Sequence, residues 1–254
     1  MKTIGLYGDS FVEVLSEDKK QYVDEKYYSL KSWPKIVAEK FKLDIVHSGK
    51  GGTSYWDIPI NQFVFKDCPD VLIFCWSSSA RLYNKDGLHL HPTPGKKWWG
   101  QQQDKIDKHL EASNLYFKYL HDYEKELLEY KSCLYWFDNA ILDKIPSDRK
   151  IVHLWSFGHM IDFDREDKYH PENLRYLHNW KNGVEIRPSC MSVALMDNCN
   201  INDVDSYENH MNTQEKHNLM ADFVMHSLID TNVDGGYDRD AMNDYTENLK
   251  RWLK

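Results

Sequence analysis

Four short apolar runs constrain the fold of this chain more than any other feature of its sequence. They are rich in β-branched and aromatic residues and cover residues 3–7, 43–47, 71–75 and 151–155. Short runs of this kind predict strands that are buried on both faces of a parallel sheet. Longer segments separate the runs, so we expect an open sheet with its connections packed on the two faces.

A helix is predicted between the first two strands. Ser32 can cap its N-terminus and Pro34 suits its first turn. Ile36, Val37 and Phe41 then fall on one helical face. Strands that alternate with helices pair in parallel, so this pattern predicts an α/β domain whose sheet is covered on both sides.

Two further stretches have a helical pattern. Residues 105–145 contain neither Gly nor Pro, which predicts one long helix or a helical hairpin that ends at Pro146. Residues 213–229 predict a final helix with one apolar face. In the first stretch the expected apolar stripe consists of Leu115, Leu120, Leu127 and Leu128.

Residues 84–104 are rich in Gly and Pro and predict a long surface loop. We therefore expect a single domain over residues 1–254, with a loop and helical insertion at about 84–149.

Charge and cysteine content exclude several classes of protein. The net charge of −8 argues against a dedicated nucleic-acid surface, which would be basic. Five widely spaced cysteines without a CxxC pair are typical of reduced thiols in a cytoplasm. The apolar run at the N-terminus is too short for a signal peptide, and no stretch is long enough to span a bilayer. We expect a cytoplasmic protein with no nucleic-acid or membrane partner, and the oligomeric state stays open.

The first predicted strand leads directly into Gly8-Asp9-Ser10. A tight turn at this point holds a serine hydroxyl at the carboxyl edge of a parallel sheet, where α/β proteins place their chemistry. Glycine permits the turn because it has no side chain to clash. With this motif at the end of its first strand, the chain resembles the SGNH/GDSL hydrolases, whose nucleophilic serine lies in an N-terminal Gly-Asp-Ser.

The resemblance implies a three-layer α/β/α sandwich with a parallel, flavodoxin-like sheet and a helical insertion. It also implies catalytic roles for Ser10 as nucleophile, for its neighbour Asp9, and for a histidine just before the last helix. That histidine is His210 in this sequence. The family places an aspartate three residues before it, where this chain has Tyr207.

Three arrangements could allow His210 to act without the family aspartate. Asp205 or Glu208 could orient the imidazole from a different backbone path. Alternatively, Ser10 and His210 could work as a dyad.

The resemblance also implies donors that hold the oxyanion. A glycine-rich turn follows the second strand, and there Gly52 is the best match to the family glycine, with Gly51 as the alternative. The family asparagine after the third strand is replaced by Ser78, whose hydroxyl can donate. Arg81 is another source of positive charge beside this position.

The sequence thus predicts a serine esterase that forms an acyl-enzyme and needs no cofactor. Trp98 and Trp99 in the predicted loop favour an acylated sugar, because indole rings stack on pyranose faces. One alternative is a binding module that kept the fold and lost catalysis. A weaker alternative is a metal-dependent hydrolase. Its candidate ligands are His89, His91, His153, His159 and Asp162.

Overall fold

The computed structural model describes residues 2–15, 30–79, 81, 83, 103–157, 178–186, 189–195 and 208–229. Within these ranges all strand pairs are parallel and form one sheet with the strand order β2-β1-β3-β4-β5. The strands are β1 (Lys2–Gly8), β2 (Leu43–His47), β3 (Val71–Trp76), β4 (Lys150–Trp155) and β5 (Val184–Glu185). This order places β1 and β3 side by side at the point where the chain reverses its direction across the sheet, which is where α/β folds bind ligands.

Along the described part of the chain, one helix lies between β1 and β2, two lie between β3 and β4, and two follow β5. They are α1 (Trp33–Phe41), α2 (Gln103–Tyr119), α3 (Tyr123–Trp136), α4 (Cys190–Ala194) and α5 (Gln214–Ile229). Five short turns of 3-10 or π type cover Ile58–Gln62, Phe65–Asp67, Phe137–Ile141, Leu142–Lys144 and Glu208–His210. No helix in the described ranges is long and apolar enough to cross a membrane.

The two faces of the sheet carry separate cores. On one face, Ile4 and Leu6 of β1 pack with a mostly aliphatic set from α1, α4 and α5. On the other face, Tyr7 of β1 packs with aromatic side chains that include Phe74 and Phe137. Alternate residues of one strand thus point into opposite layers, as expected for a strand covered on both sides. The predicted α/β/α architecture and parallel sheet are confirmed.

Helix α1 begins as predicted but is held differently. Ser32 occupies the N-cap position, yet its hydroxyl makes no capping hydrogen bond. The first helical N–H, that of Trp33, donates instead to Nδ1 of the buried His217 on α5. The N-terminus of α1 is therefore fixed by the last helix rather than by its own cap.

The leucine stripe predicted for residues 105–145 is wrong at three of its four positions, since only Leu127 packs against the core. The exposed fractions of Leu115, Leu120 and Leu128 are 51%, 72% and 66%. Of the two forms predicted, the chain adopts two helices, and Asp122 caps the second by accepting from the N–H of Lys125 at 3.1 Å. Aromatic residues, not these leucines, supply most of the buried contacts on this side of the sheet.

A short segment, residues 178–182, precedes β5 and is called the return segment below. It is fastened to the fully buried Asp138, in the turn after α3. The Asp138 carboxylate accepts from the N–H groups of Lys181 and Asn182 and pairs with the ring of His178 at 2.9 Å. Burial by itself would raise the pKa of Asp138, but these hydrogen bonds outweigh it and leave the pKa below its ordinary value.

Candidate active site

Strand β1 ends at a glycine that no other residue could replace without strain. Gly8 has a φ of +146°, and an added Cβ would lie 2.4 Å from the carbonyl oxygen of Cys75 on β3. The side chain of Gln62 holds this glycine by accepting from its N–H at 2.6 Å and donating to its carbonyl at 2.9 Å. The turn that follows therefore leaves the sheet from a fixed point beside β3.

Asp9 shapes this turn from within the protein. It is fully buried, and its Oδ1 accepts from the N–H of Phe11 at 3.1 Å and from the hydroxyl of Ser156 at 2.9 Å. Its Oδ2 accepts from Nη1 of Arg81 at 3.1 Å. These partners use both carboxylate oxygens to fix the backbone around Ser10, which makes Asp9 a positioning residue.

The guanidinium of Arg81 lies 4.5 Å from the ring centre of Phe157. Its side chain is 15% exposed, so the ion pair with Asp9 is largely shielded from water. Arg81 therefore joins the loop after β3 to the turn after β1. The sequence predicted Arg81 as a source of positive charge, and the structure directs one of its nitrogens to Asp9.

Ser10 and His210 come together although 200 positions separate them in the sequence. The Ser10 Oγ lies 2.6 Å from the His210 Nε2, within hydrogen-bonding distance. The imidazole also packs on the buried ring of Phe11, with 4.6 Å between the ring centres. A hydroxyl and an imidazole in this arrangement have the geometry that a nucleophile and a general base require.

The backbone that presents His210 adopts an uncommon conformation. Asn209 and His210 have φ values of +55° and +59°, a left-handed region that side chains other than glycine rarely adopt. The Asn209 amide donates to the carbonyl of Ser10 at 3.2 Å and to that of Glu13 at 2.9 Å. This clamp ties the histidine to the serine loop and offsets the backbone strain.

Glu208 is one of the predicted acid partners of His210, but its described contacts are with Lys35 and Leu15. Its Oε1 accepts from Nζ of Lys35 on α1 and from the N–H of Leu15, each at 3.3 Å. Asp205, the other predicted acid, and Tyr207 lie outside the described residues.

The glycine-rich turn after β2 aims three successive N–H groups at the serine loop. The N–H of Gly49 donates to Val12 at 3.3 Å, and that of Lys50 donates to Gly8 at 3.0 Å. The third, from Gly51, donates to Oε2 of Glu13 at 2.8 Å. A Cβ placed on Gly51 would lie 3.6 Å from the Cβ of Ser10, so this glycine adjoins the hydroxyl-bearing residue.

The remaining predicted residues are placed as follows. Gly52 has a φ of +74°, a value that suits glycine in a tight turn. Ser78 lies just beyond β3, and its carbonyl accepts from the N–H of Arg81 at 3.1 Å. Trp98 and Trp99 lie outside the described residues.

Three residues of the site have no counterpart in the sequence prediction: Glu13, Ser156 and Asn209. Ser156 directly follows β4 and could have been found as a polar residue at the carboxyl end of a strand. Glu13 and Asn209 stand in irregular loops, where only the folded chain reveals what their side chains reach.

Of the predicted metal ligands, His153 lies in the described part of the chain and is fully engaged. Its Nδ1 accepts from the indole N–H of Trp76 at 3.2 Å, and its Nε2 lies 2.8 Å from the Asn182 carbonyl. Burial lowers the pKa of His153 to about 3, so the ring is neutral and has no nitrogen left for a metal. The described ranges hold no cluster of three or more His, Cys, Asp or Glu residues suited to a metal ion. The other predicted ligands fall outside those ranges.

Neither a family model nor a curated protein matches this chain. Among solved structures it is similar to a GDSL-like lipase candidate from Parabacteroides merdae ATCC 43184, with 14% identity and a TM-score of 0.46. That alignment covers 89% of this chain and 94% of the other. The chain is also similar to a carbohydrate esterase whose active site displays divergent catalytic and non-catalytic binding functions. Here the identity is 10% and the TM-score 0.38, over 92% of this chain and 67% of the other. The fold assignment does not depend on these similarities, because it rests on the strand order and packing described above.

Proposed function

We propose that this protein is a serine esterase of SGNH type in which Ser10 is the nucleophile and His210 the general base. The observation that carries the proposal is the 2.6 Å contact between the Ser10 hydroxyl and the His210 imidazole at the carboxyl edge of the sheet. Three separate loops hold this pair, through Asp9, Asn209 and the glycine-rich turn. These contacts fix the backbone that carries the pair, which supports a preorganised reactive site.

The reaction proceeds through an acyl-enzyme. Ser10 Oγ attacks the ester carbonyl while its proton passes to Nε2 of His210, and the carbonyl oxygen becomes the oxyanion. His210 then gives this proton to the departing alcohol, and the carbon–oxygen bond to the alcohol breaks. Water attacks the acyl group in the second half of the cycle, again with His210 as base, and releases the acid.

Backbone N–H groups of Ser10 and the glycine-rich turn are the proposed oxyanion donors, together with the Ser78 hydroxyl. Of the two glycines, Gly51 has the better support, since its N–H points toward the serine loop and its Cα adjoins Ser10. Gly52 remains the alternative. Removal of one such donor typically lowers the rate by about a hundredfold or more.

We propose a Ser–His dyad rather than a triad. Glu208 is engaged by Lys35 and by a backbone N–H, which leaves it poorly placed to orient the imidazole. The Asn209 clamp and the ring of Phe11 can hold His210 in its place. For the substrate we propose an acylated carbohydrate, on the ground of the Trp98 and Trp99 pair in the sequence.

A binding module without catalysis is the second candidate. One observation favours it: a carboxylate, that of Glu13, already accepts from the Gly51 N–H beside Ser10. A negative charge at this point opposes the formation of an oxyanion.

A fluorophosphonate probe distinguishes the two candidates, because it reacts covalently with activated serines. The wild type should be labelled, and peptide mapping should find the label on Ser10. Ser10→Ala should abolish both labelling and the hydrolysis of p-nitrophenyl acetate, and His210→Ala should abolish most of each. Ser227→Ala is the matched control, because in the described part of the chain its hydroxyl donates to the Phe223 carbonyl of its own helix. Full activity of Ser10→Ala, with the label on another residue, would refute the assignment.

A further inference from the structure

We propose that Glu13 gates the oxyanion donor of Gly51: in the resting protein its carboxylate occupies the place that an acyl oxygen must take. This inference rests on the proposed esterase function and adds a residue that controls when the site can react. Glu13 belongs to neither the Gly-Asp-Ser motif nor the glycine-rich turn.

The geometry around Gly51 carries the proposal. The Glu13 Oε2 accepts from the Gly51 N–H at 2.8 Å, a normal length for a bond between an amide and a carboxylate. An added Cβ on Gly51 would lie 2.7 Å from this oxygen and 3.6 Å from the Cβ of Ser10. The carboxylate and the proposed nucleophile thus flank the same glycine.

The glycine-rich turn is braced without Glu13. The Thr53 hydroxyl lies within hydrogen-bonding distance of the carbonyls of Gly8, at 3.2 Å, and Lys50, at 2.9 Å. Ser48 Oγ accepts from the N–H of Val14 at 2.7 Å, and the N–H of Lys50 binds the Gly8 carbonyl. These bonds join both loops without the Glu13 side chain, which adds a negative charge to the site.

The backbone of Glu13 is held by a contact that does not involve its carboxylate. The Asn209 amide holds the Glu13 carbonyl at 2.9 Å, in the same clamp that holds the Ser10 carbonyl. Rotation about the side-chain bonds of Glu13 would therefore free the Gly51 N–H without moving the serine. Displacing the carboxylate from the Gly51 N–H costs free energy when a substrate reacts. Removal of the carboxylate should therefore speed the reaction.

Labelling kinetics with the fluorophosphonate probe test the gate. In this reaction the bond from Ser10 Oγ to phosphorus forms, fluoride leaves, and the serine proton passes to His210. The phosphoryl oxygen needs the same donors as an oxyanion. Glu13→Ala should be labelled about tenfold faster or more, since a bond to a charged acceptor is strong. Glu13→Gln should show a smaller increase, because its amide oxygen can still accept from Gly51 but carries no charge.

A matched control separates this effect from the loss of a negative charge in general. Glu39→Gln removes an exposed carboxylate on α1 that pairs with Lys31, and its labelling rate should equal that of the wild type. With p-nitrophenyl acetate, Glu13→Ala should raise kcat/KM by the same factor as labelling. A merely structural role for Glu13 would lower both quantities and the melting temperature.

The outcomes are distinguishable. Labelling of Ser10 at or below the wild-type rate in both Glu13 variants overturns the gate and leaves the esterase proposal standing. No labelling of Ser10 in the wild type or any variant refutes the esterase proposal and the gate with it. Labelling of Glu13→Ala where the wild type resists the probe supports the gate most strongly. Should Glu13→Ala fail to fold, Glu13→Gln decides: faster labelling supports the gate, and an equal or slower rate overturns it.

Discussion

Two regions of this protein are each built around a fully buried aspartate, but the two aspartates do different work. Asp9 organises the turn after β1 and binds a cation and a hydroxyl from two other loops. Asp138 follows α3 and binds backbone N–H groups and side chains of the return segment. The first region fixes a side chain at the sheet edge, whereas the second fastens the chain that leads into β5.

The comparison shows that a buried aspartate can fix the position of the serine turn in one region and stabilise the fold in another. Arg81 and Ser156 reach Asp9 from the ends of neighbouring strands, so a change at Asp9 alters three loops at the proposed site. The partners of Asp138 lie within residues 178–182, so a change there loosens one segment. Substitutions at Asp9 should therefore lower mainly the reaction rate, whereas substitutions at Asp138 should lower mainly the free energy of unfolding.

Acid should have the largest effect, and it acts through two buried histidines, one beside the return segment and one at the start of α1. His153 stacks on Trp180 of the return segment, and His217 accepts from the Trp33 N–H at the start of α1. Burial lowers the pKa of His153 to about 3 and that of His217 to about 4. The unfolded chain therefore binds more protons between pH 6.5 and these values, so the stabilisation is complete above pH 6.5 and is lost as the pH falls.

Denaturant titrations at pH 7.5 and 4.5 should show a fall in unfolding free energy on the order of 5 kcal/mol from the two histidines. His153→Gln and His217→Gln should each flatten this dependence by about half. A wild type that is equally stable at both pH values would contradict the assignment of both rings as neutral.

Asp138→Ala should produce the next largest effect. It leaves several buried donors of the return segment without an acceptor, so we expect a loss of about 3–5 kcal/mol in unfolding free energy. The esterase rate per folded molecule should stay within about twofold of the wild type, because the residue serves stability. Chemical denaturation combined with an ester assay measures both, and a selective loss of rate would break the comparison.

Asp9→Asn should show the reverse pattern. It removes the negative charge opposite Arg81 while keeping an oxygen that can accept from Phe11. A displacement of the serine turn by about 1 Å would lower the rate on the order of a hundredfold. The assay is kcat/KM on p-nitrophenyl acetate, with near-ultraviolet circular dichroism to verify packing. Equal rates in Asp9→Asn and the wild type would show that the turn does not need this charge.

Glu208→Gln should have the smallest effect. The partly exposed pair with Lys35 contributes less than about 1 kcal/mol, and we expect the rate to change by less than about threefold. Lys35→Gln is the matched control for loss of the ion pair. A hundredfold loss of rate in Glu208→Gln alone would make Glu208 the acid partner of His210 and replace the proposed dyad by a triad.

The regular elements were predictable from the sequence because their patterns are local. The strand runs at 43–47 and 71–75 and the helix after Ser32 follow from hydrophobic periodicity, and the structure confirms all three. Strand β5 was missed, because two residues carry no periodic signal. Most of the leucine stripe is exposed, because a local pattern does not show that aromatic side chains from distant segments form the core on that face.

The residues of the site also divide into those that the sequence predicts and those that only the folded chain reveals. Ser10 could be singled out from its motif and His210 from its place before the last helix. The contacts of Glu13 with Gly51 and of Asn209 with Ser10 depend on loops that meet only in the folded protein. Side chains in irregular loops have no period to indicate their direction, so the gate and the clamp could not be predicted.

The distance along the chain between Ser10 and His210 has a consequence for synthesis. The proposed nucleophile is synthesised 200 residues before the base that is proposed to activate it. Closing so long a loop costs entropy that the docking of the last helix must offset, so the pair forms late in folding. A chain that stops before His210 would therefore carry an ordinary serine alcohol, and the proposed reactivity of Ser10 would begin only once the last helix has docked.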